Sequence, residues 1–572
     1  MNCCGEASVH VVKRLSIRAI NWKLNPHPIL KRGVPLLVCI LDGWGENRQD
    51  DYNAIFKANI PTIAGLKSLA PKKWRTIKAH GTAVGLPTDD DMGNSEVGHN
   101  AMGAGKIIEQ GAGLVDTALK TGKIYKDAGF TYIQEAWKLG GTQHFIGLVS
   151  DGGVHSRYDQ LAKLMKGCVE RGCKKIRVHA LTDGRDCADG SSTKHFGELE
   201  KDLQALCKKG CDAKIASGGG RMYVTMDRYE ADWSIVERGW HAHVLGEAPY
   251  KFESALEALK SIKQEDPATN DQYLPPFVIV GKNGKPVGTI QDGDVVVIFN
   301  YRADRVVQLS KAFEYNDFKK FDRKRHPKVK FSGMMQYDGD LKLPHNYLVA
   351  PPLIDQTSGQ YLVKNGIRTF ACSETQKFGH VTFFWNGNRS GKLDKNLETY
   401  HEIVSDTCPF NEKPKMKAAQ IAQATKDAIL SRKYDFIRVN LANGDMVGHT
   451  GDFQAVLTAC EAVDNSVKVM IDAIVKVGGI YLITADHGNA DDMAQRKKDG
   501  QPIMDQDGIV VPLTSHTLAP VPIAIGGPGL SSRASFRTDL PNAGLSNVTA
   551  TFINLLGFEA PSDYEPTLLK ID

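Results

Sequence analysis

The stretch Met92-Gly93-Asn94-Ser95-Glu96-Val97-Gly98-His99 sets a serine among glycine-bearing turns, just ahead of a run able to form a helix. At a helix N-terminus, backbone N–H groups and the positive end of the dipole stabilise an anion. The segment is not a Gly-x-Ser-x-Gly elbow, because Val97 stands where the second glycine belongs. Gly105-Lys106 is not a Walker-type phosphate loop either, with Asn100 at the first glycine position and Ile107 after the lysine. A simple N-capping serine is the plainer alternative. Far along the chain lie acids and imidazoles. Asp445 and His449 are spaced to share one helical face or one tight loop. Asp486-His487 follows an apolar run, His516 lies in Thr514-Ser515-His516-Thr517, and Asp42 closes the first apolar run. Carboxylates, imidazoles and one alkoxide suit a divalent ion of the manganese, zinc or magnesium type. A serine hydroxyl is a poor nucleophile at neutral pH. Metal coordination lowers its pKa and orients it, and two ions stabilise both ends of an in-line phosphoryl displacement.

A second set is cationic. Arg185, Arg221, Arg228, Arg302 and Arg305 stand in Asp-Gly-Arg-Asp, Gly-Gly-Gly-Arg, Met-Asp-Arg and Tyr-Arg-Ala-Asp-Arg turns. Guanidinium forks grip phosphate and carboxylate bidentately, so their grouping predicts a pocket for a small polyanion. His155, in Gly153-Val154-His155-Ser156, is placed to donate to the same ligand or to act as acid or base, and Asp186 to bind substrate hydroxyls. The alternative is a set of surface arginines paired with Asp227 or Asp304.

Both sets need a frame that places turns side by side. Short apolar runs ending in Asp, Gly or Asn recur at Pro35–Ile40, Phe145–Val149, Ile176–Leu181, Val295–Phe299, Phe436–Leu441 and Ile480–Thr484. Runs of this length, rich in Val, Ile and Leu and bounded by turn residues, read as buried parallel strands. Helical patterns alternate with them, as at Tyr158–Glu170, Lys194–Lys208 and Met416–Ser431, which predicts an α/β protein. In such sheets ligands gather beyond the carboxyl ends of the strands, where these polar residues fall.

The 572 residues, 42% hydrophobic and 24% charged, exceed one ordinary domain. With 71 Lys+Arg against 66 Asp+Glu the net charge is only +5, which gives no polybasic field for nucleic acid and suits small anions. The 55 Gly and 25 Pro are dispersed, excluding collagen-like and low-complexity classes. The 11 cysteines are scattered with no Cys-x-x-Cys, which predicts free thiols in a reducing compartment. The longest apolar run, Val34 to Leu41, is far short of the roughly 18–20 residues of a membrane span. Residues 1–30 carry Lys13, Arg14, Arg18 and Lys23 but lack a signal-peptide core, and are read as an unstructured or surface-docked extension of a cytoplasmic, monomeric protein. Organellar targeting by this extension stays open.

Metal-capable residues lie early and late in the chain and the arginines between them, so one domain is expected to be inserted in another. The expected parts are the extension (1–30), a metal-binding domain in two pieces (31–112 and 346–572) and an inserted anion-binding domain (113–345). The crossings fall near Gln110–Gly113 and Gln336–Pro352.

Ordered motifs from about residue 33 to the end now carry a resemblance. They are Leu-Asp-Gly-Trp-Gly (41–45), Met-Gly-Asn-Ser-Glu-Val-Gly-His (92–99), Asp-Gly-Gly-Val-His-Ser (151–156), Thr-Asp-Gly-Arg-Asp (182–186) and Asn-Tyr-Arg-Ala-Asp-Arg (300–305). Ser-Glu-Thr-Gln-Lys-Phe-Gly-His-Val-Thr-Phe-Phe (373–384), Asn-Gly-Asp-Met-Val-Gly-His (443–449) and Ala-Asp-His-Gly-Asn (485–489) complete the set. Together they resemble the cofactor-independent phosphoglycerate mutases of the alkaline phosphatase superfamily. The seven-residue step from Arg221 to Arg228 and Trp385-Asn386-Gly387-Asn388 fit the longer, eukaryotic-type branch. The resemblance implies a doubly wound, mainly parallel phosphatase-like sheet carrying an inserted α/β domain. It implies that Ser95 becomes phosphoserine as 3-phosphoglycerate and 2-phosphoglycerate interconvert without 2,3-bisphosphoglycerate. One divalent ion would be held by Asp42, Ser95, Asp486 and His487, and another by Asp445, His449 and His516, with manganese first and magnesium, cobalt or zinc admissible. Substrate would be bound by His155, Arg185, Asp186, Arg221, Arg228, Arg302, Arg305 and Lys377. The competing readings are a metal-dependent phosphatase or phosphopentomutase with the same metal core, and a binding protein that keeps the fold without catalysis.

Overall fold

A computed structural model describes residues 21–572 except 229, 339, 340, 353, 498 and 541. Two seven-stranded sheets dominate it. The first runs, in spatial order, Glu398–Ile403, Thr369–Glu374, Phe436–Leu441, Leu36–Leu41, Ile480–Thr484, Val521–Gly526 and Trp74–Ile77. Its first five strands are parallel and the last two pair antiparallel. The second runs Tyr250–Phe252, Phe277–Ile279, Asp212–Gly220, Lys175–Thr182, Gln143–Leu148, Val295–Ile298 and Lys330–Gly333. It is parallel except where Asp212–Gly220 meets Phe277–Ile279. The expected α/β class with largely parallel sheets is what the chain adopts.

Each sheet has its own core. Leu36–Leu41 is buried at every position, so both faces are covered by helices, which explains its unbroken apolar run. Ile480–Thr484 and Phe436–Leu441 flank it in register, and the 24-residue helix Phe453–Lys476 lays Val456, Val463, Val467 and Met470 against this layer. The second core is built between Val115 and Val349, around Phe145, Val178, Phe277 and Val297. Residues on the two sides thus bury apolar surface separately, at about 1.5–3 kcal/mol for each fully buried Val, Leu or Phe side chain.

The expected strands occupy their predicted places within two residues. Helices form at Tyr158–Glu170, Ser192–Lys208 and Ala418–Leu430. Residues 1–20 of the expected extension, and Gly339-Asp340 of the second expected crossing, lie outside the described residues. Residues 21–30 dock on the first core. Trp22 meets the Tyr361 ring at 5.1 Å, Leu24 and Leu30 are buried, and Asn365 Nδ2 donates to the Trp22 carbonyl at 2.7 Å. No described helix is long and apolar enough to cross a membrane.

Candidate active site and metal centre

Four adjacent parallel strands of the first sheet end at one place. Leu36–Leu41 delivers Asp42, Phe436–Leu441 leads into the short helix Asn443–Gly448 with Asp445 and the capping His449, and Ile480–Thr484 delivers Asp486 and His487. Thr369–Glu374 leads into the helix Thr375–Gly379 that bears Lys377. Ser95 opens the helix Ser95–Ala104, where the cap is Asn94, whose side chain accepts from Val97 N at 3.2 Å. The serine is therefore free of the capping role and its hydroxyl points into the cluster. Glycines permit the close approach. Gly43 has φ +75°, and a Cβ there would stand 2.5 Å from the Asp445 nitrogen, while a Cβ on Gly98 would stand 2.9 Å from the Asp486 Cβ.

Ser95 Oγ donates to Asp42 Oδ1 at 3.2 Å, lies 3.0 Å from His487 Nε2, and receives a short hydrogen bond from Lys377. Asp445 Oδ1 lies 2.9 Å from His449 Nε2 and 3.1 Å from His516 Nε2, and the two imidazole nitrogens are 3.1 Å apart. The Nδ1 atoms of His449, His516 and His487 face the carbonyls of Thr514, Gly93 and Gly488 at 2.6, 2.7 and 3.2 Å. A carbonyl only accepts, so Nδ1 carries the proton in each ring, and in a neutral ring the lone pair is turned inward at Nε2. Two ligand-grade triads result, Asp445/His449/His516 and Asp42/Asp445/His487, with Asp445 common to both. Asp486 is fully buried, 3.8 Å from His487 Nε2, and neither of its carboxylate oxygens has a hydrogen-bond partner. An orphaned buried carboxylate beside converging imidazole lone pairs is a donor set for divalent cations, so these residues fit a metal.

Charge bears this out. Burial opposes ionisation of Asp42 and Asp445, yet Lys377 holds both carboxyls below their ordinary range. Burial lowers His487, but Asp486, Asp42 and Asp445 outweigh it and raise this imidazole to about 9, so its Nε2 carries a proton that a cation bound among these carboxylates would displace. Burial and the nearby Arg185 push His449 down to about 3, leaving it neutral.

The second sheet turns its arginines toward this cluster. Arg185, Arg221, Arg228, Arg302 and Arg305 are all buried. Arg221 donates to Asp183 at 2.6 Å and is also paired with Asp186. Arg228 Nε donates to Asp304 at 2.8 Å, and Arg302 Nε stands 3.1 Å from Asp304 and 3.2 Å from Glu96. Arg305 Nη1 donates to the Met226 carbonyl at 2.9 Å. Burial, then Arg228, Arg221 and Arg185, depress Arg305 well below its ordinary value, and burial brings Arg185 to about 10. Guanidiniums that repel one another in a dry site are stabilised by an anion among them. Burial and Arg221 keep His155 neutral, and its Nδ1 has no hydrogen-bond partner. The two sides touch, since Met446 Sδ lies 3.7 Å from Arg185 Nη2 and 3.6 Å from Arg228 Nη1, and Thr514 Oγ1 donates to the Gly184 carbonyl at 3.2 Å.

Lys377, expected to bind substrate, lies among Asp42, Ser95 and Asp445. Asp186, expected to hold substrate hydroxyls, is engaged by Arg221. Several partners had not been singled out. Asn440 Nδ2 donates to Asp42 Oδ2 at 2.7 Å, and His99 Nδ1 stands 3.4 Å from Asp486. Glu96 and Met446 link the two sets, together with Asp304, already named as a candidate arginine partner. His99, Glu96, Asp304 and Met446 sit inside motifs already noted, so the signal was present, whereas Asn440 is hidden in an apolar strand.

The chain matches the family model described as Metalloenzyme superfamily over residues 34–560. It is 64% identical over 552 residues to a 2,3-bisphosphoglycerate-independent phosphoglycerate mutase of Mesembryanthemum crystallinum, covering 96% of this chain and 98% of that protein. It is 58% identical to the protein of that name from Trypanosoma brucei brucei (strain 927/4 GUTat10.1), covering 96% and 99%. Among solved structures, the Leishmania mexicana phosphoglycerate mutase at low cobalt concentration superposes with a TM-score of 0.95 at 56% identity, covering 96% of this chain and all of that one. By sequence, fold and site, the chain belongs to the 2,3-bisphosphoglycerate-independent phosphoglycerate mutase family of the metalloenzyme superfamily.

Proposed function

We propose that the chain interconverts 3-phosphoglycerate and 2-phosphoglycerate, the glycolytic isomerisation, by carrying the phosphoryl group on Ser95. The observation that carries this reading is the Ser95 hydroxyl held between Asp42, His487 and Lys377 and faced by buried guanidiniums. Asp42, Ser95, Asp486 and His487 would hold one divalent ion and Asp445, His449 and His516 another, with manganese the best fit to these oxygen and nitrogen donors. Such ions supply charge neutralisation for the transferring phosphoryl group and activate the serine oxygen.

The residues of the chain do the rest. Lys377 and the N-terminus of Ser95–Ala104 stabilise negative charge at the serine oxygen. Ser95 Oγ forms its bond to phosphorus as the bond to the C3 oxygen of glycerate breaks, and the serine proton ends on that oxygen. Arg185, Arg221, Arg228, Arg302 and Arg305 hold the glycerate carboxylate and phosphoryl oxygens bidentately. Neutral His155 accepts the C2 hydroxyl proton as that oxygen takes the phosphoryl group back from Ser95, and the proton then passes to the freed serine oxygen, restoring both groups. Burial of the whole set excludes water, which would otherwise hydrolyse the phosphoserine. The separate cores support a division into a metal-binding part (31–112 and 346–572) and an inserted substrate-binding part (113–345), behind an extension (1–30). We further infer a cytoplasmic monomer acting on small anions, with no nucleic-acid partner.

The test is to supply 3-phosphoglycerate without 2,3-bisphosphoglycerate, with and without a chelator. Formation of 2-phosphoglycerate that stops on chelation and returns with manganese is expected. Activity that survives chelation or requires the bisphosphate would overturn the reading, and net release of phosphate would favour a phosphatase.

A further inference from the structure

Outside this centre, one more cluster among the described residues offers metal-ligating atoms. Asp151, Cys187 and His195 each present one, all within 4.8 Å of one another. His195 Nε2 stands 3.3 Å from Asp151 Oδ1, and its Nδ1 is 3.8 Å from Glu198 one helical turn on. Cys187 Sγ is 3.2 Å from Ser191 Oγ, a fourth donor atom beside the three. The His195 side chain is 3% exposed and Asp151 is 64% exposed, so the imidazole is fixed while the carboxylate opens to solvent.

We propose that Asp151, Cys187 and His195 form an accessory binding site for a thiophilic divalent cation of the zinc type. Thiolate, imidazole and carboxylate together select zinc over magnesium or manganese. Tetrahedral zinc at about 2.0–2.3 Å from its ligands needs them within about 3.3–3.8 Å of each other, so the cluster has only to contract slightly. On binding, the Cys187 S–H bond breaks, an S–metal bond forms and one proton passes to solvent, leaving a neutral site. Burial and Asp183 raise the Cys187 thiol, so affinity increases with pH.

The position gives the site a consequence. Asp151 opens the loop that carries His155, and Cys187 directly follows Asp186. These loops already touch, because a Cβ on Gly152 would stand 2.5 Å from the Asp186 carbonyl. A cation bridging Asp151 and Cys187 clips them together, and excess zinc then slows turnover. The site rests on its own ligands. Its link to turnover rests on the substrate-binding reading of the two loops.

The test is a cobalt titration of the full chain after its centre has been saturated with manganese. The centre holds no sulfur donor, so a thiolate-to-cobalt charge-transfer band in the near ultraviolet reports a site outside it, which the Cys187 variant then assigns. The expected result is such a band, saturating at one cobalt per chain and erased by equimolar zinc. Cys187→Ser should abolish it, and the exposed Asp151→Asn should weaken cobalt binding by about tenfold or more. No band in the wild-type chain overturns the proposal, as does a band that persists unchanged in either variant. Mutase activity with manganese, measured on the same samples, reports the catalytic reading separately.

Discussion

The Lys377 ammonium donates to Asp42 Oδ1 across 2.6 Å, with both side chains sealed from solvent. The same nitrogen stands 2.7 Å from Asp445 and also bonds Ser95, so one cation serves both carboxylates and the nucleophile. If this lysine acts at the serine, Lys377→Gln should lower kcat about 10²–10³-fold while KM stays near wild type, in the range seen for removing one charge-stabilising donor. A rise in KM with unchanged kcat would return Lys377 to simple substrate binding. Steady-state kinetics in both directions decides between them.

Because Asn94, not Ser95, caps its helix, the nucleophile can be removed without loss of the fold. Ser95→Ala should abolish turnover and the trapping of labelled phosphate on the protein, with Tm close to wild type. Asn94→Ala should instead cost about 1 kcal/mol of stability through loss of the cap, and reduce turnover by displacing the serine. Calorimetry and acid-quenched labelling measure the two effects independently.

Among the arginines, Arg305 spends one N–H on the Met226 carbonyl and is depressed by burial and by its guanidinium neighbours. Charge-assisted hydrogen bonds are worth about 1.5–3 kcal/mol, so Arg305→Lys should raise KM for 3-phosphoglycerate roughly 10- to 100-fold. The increase should shrink with ionic strength less than that of a surface arginine variant, since salt screens a buried site much less. An unchanged KM would remove Arg305 from the pocket.

Gly43 tests how the backbone positions the metal ligands. Its φ of +75° and the 2.5 Å approach of its missing Cβ to the Asp445 nitrogen leave no room for a side chain. Gly43→Ala should cost about 1–3 kcal/mol from left-handed strain and overpacking. A shift of about 1 Å in Asp445 can lower turnover about 10²-fold. If activity and Tm both survive, the turn tolerates what the geometry forbids.

Much of this arrangement was legible before any fold was known. Leu36–Leu41, Phe436–Leu441 and Ile480–Thr484 announce themselves as apolar runs because both of their faces are buried, and Asp42, Asp445 and Asp486 follow at the ends where ligands collect. Asp212–Gly220 escaped notice because it ends in Ser-Gly-Gly-Gly. These small residues let backbone pass close, as Gly220 does to Gln272, and look like a loop in sequence. Trp74–Ile77 has only four residues and lies far along the chain from Val521–Gly526, so no antiparallel edge shows in the sequence. Lys377 was grouped with the arginines as the resemblance implies. Which sheet its helix follows is a matter of topology, and topology set it among carboxylates. Asn440 could not be found at all, since a polar side chain inside an apolar strand reads as an exception until its partner Asp42 is seen.

The last prediction concerns Glu374, which ends the strand before the Lys377 helix. Burial raises its carboxyl to about 7, although Ser405 Oγ at 2.8 Å and the Lys417 backbone N–H at 3.3 Å donate to it. Unfolded, a glutamate ionises near 4.3. Between that value and about 7 the native state binds more protons than the unfolded state, so stability falls as pH rises through this window. Glu374→Gln removes the charge while keeping an acceptor oxygen for the Lys417 N–H, and its amide N–H can donate to Ser405 Oγ, whose hydroxyl also accepts, so it mimics the protonated form. Its Tm should match wild type near pH 4.5 and exceed it by several degrees at pH 8, with the gap opening across the window. Calorimetry at a series of pH values checks this, and a gap independent of pH would show that Glu374 ionises as readily in the folded protein as in water.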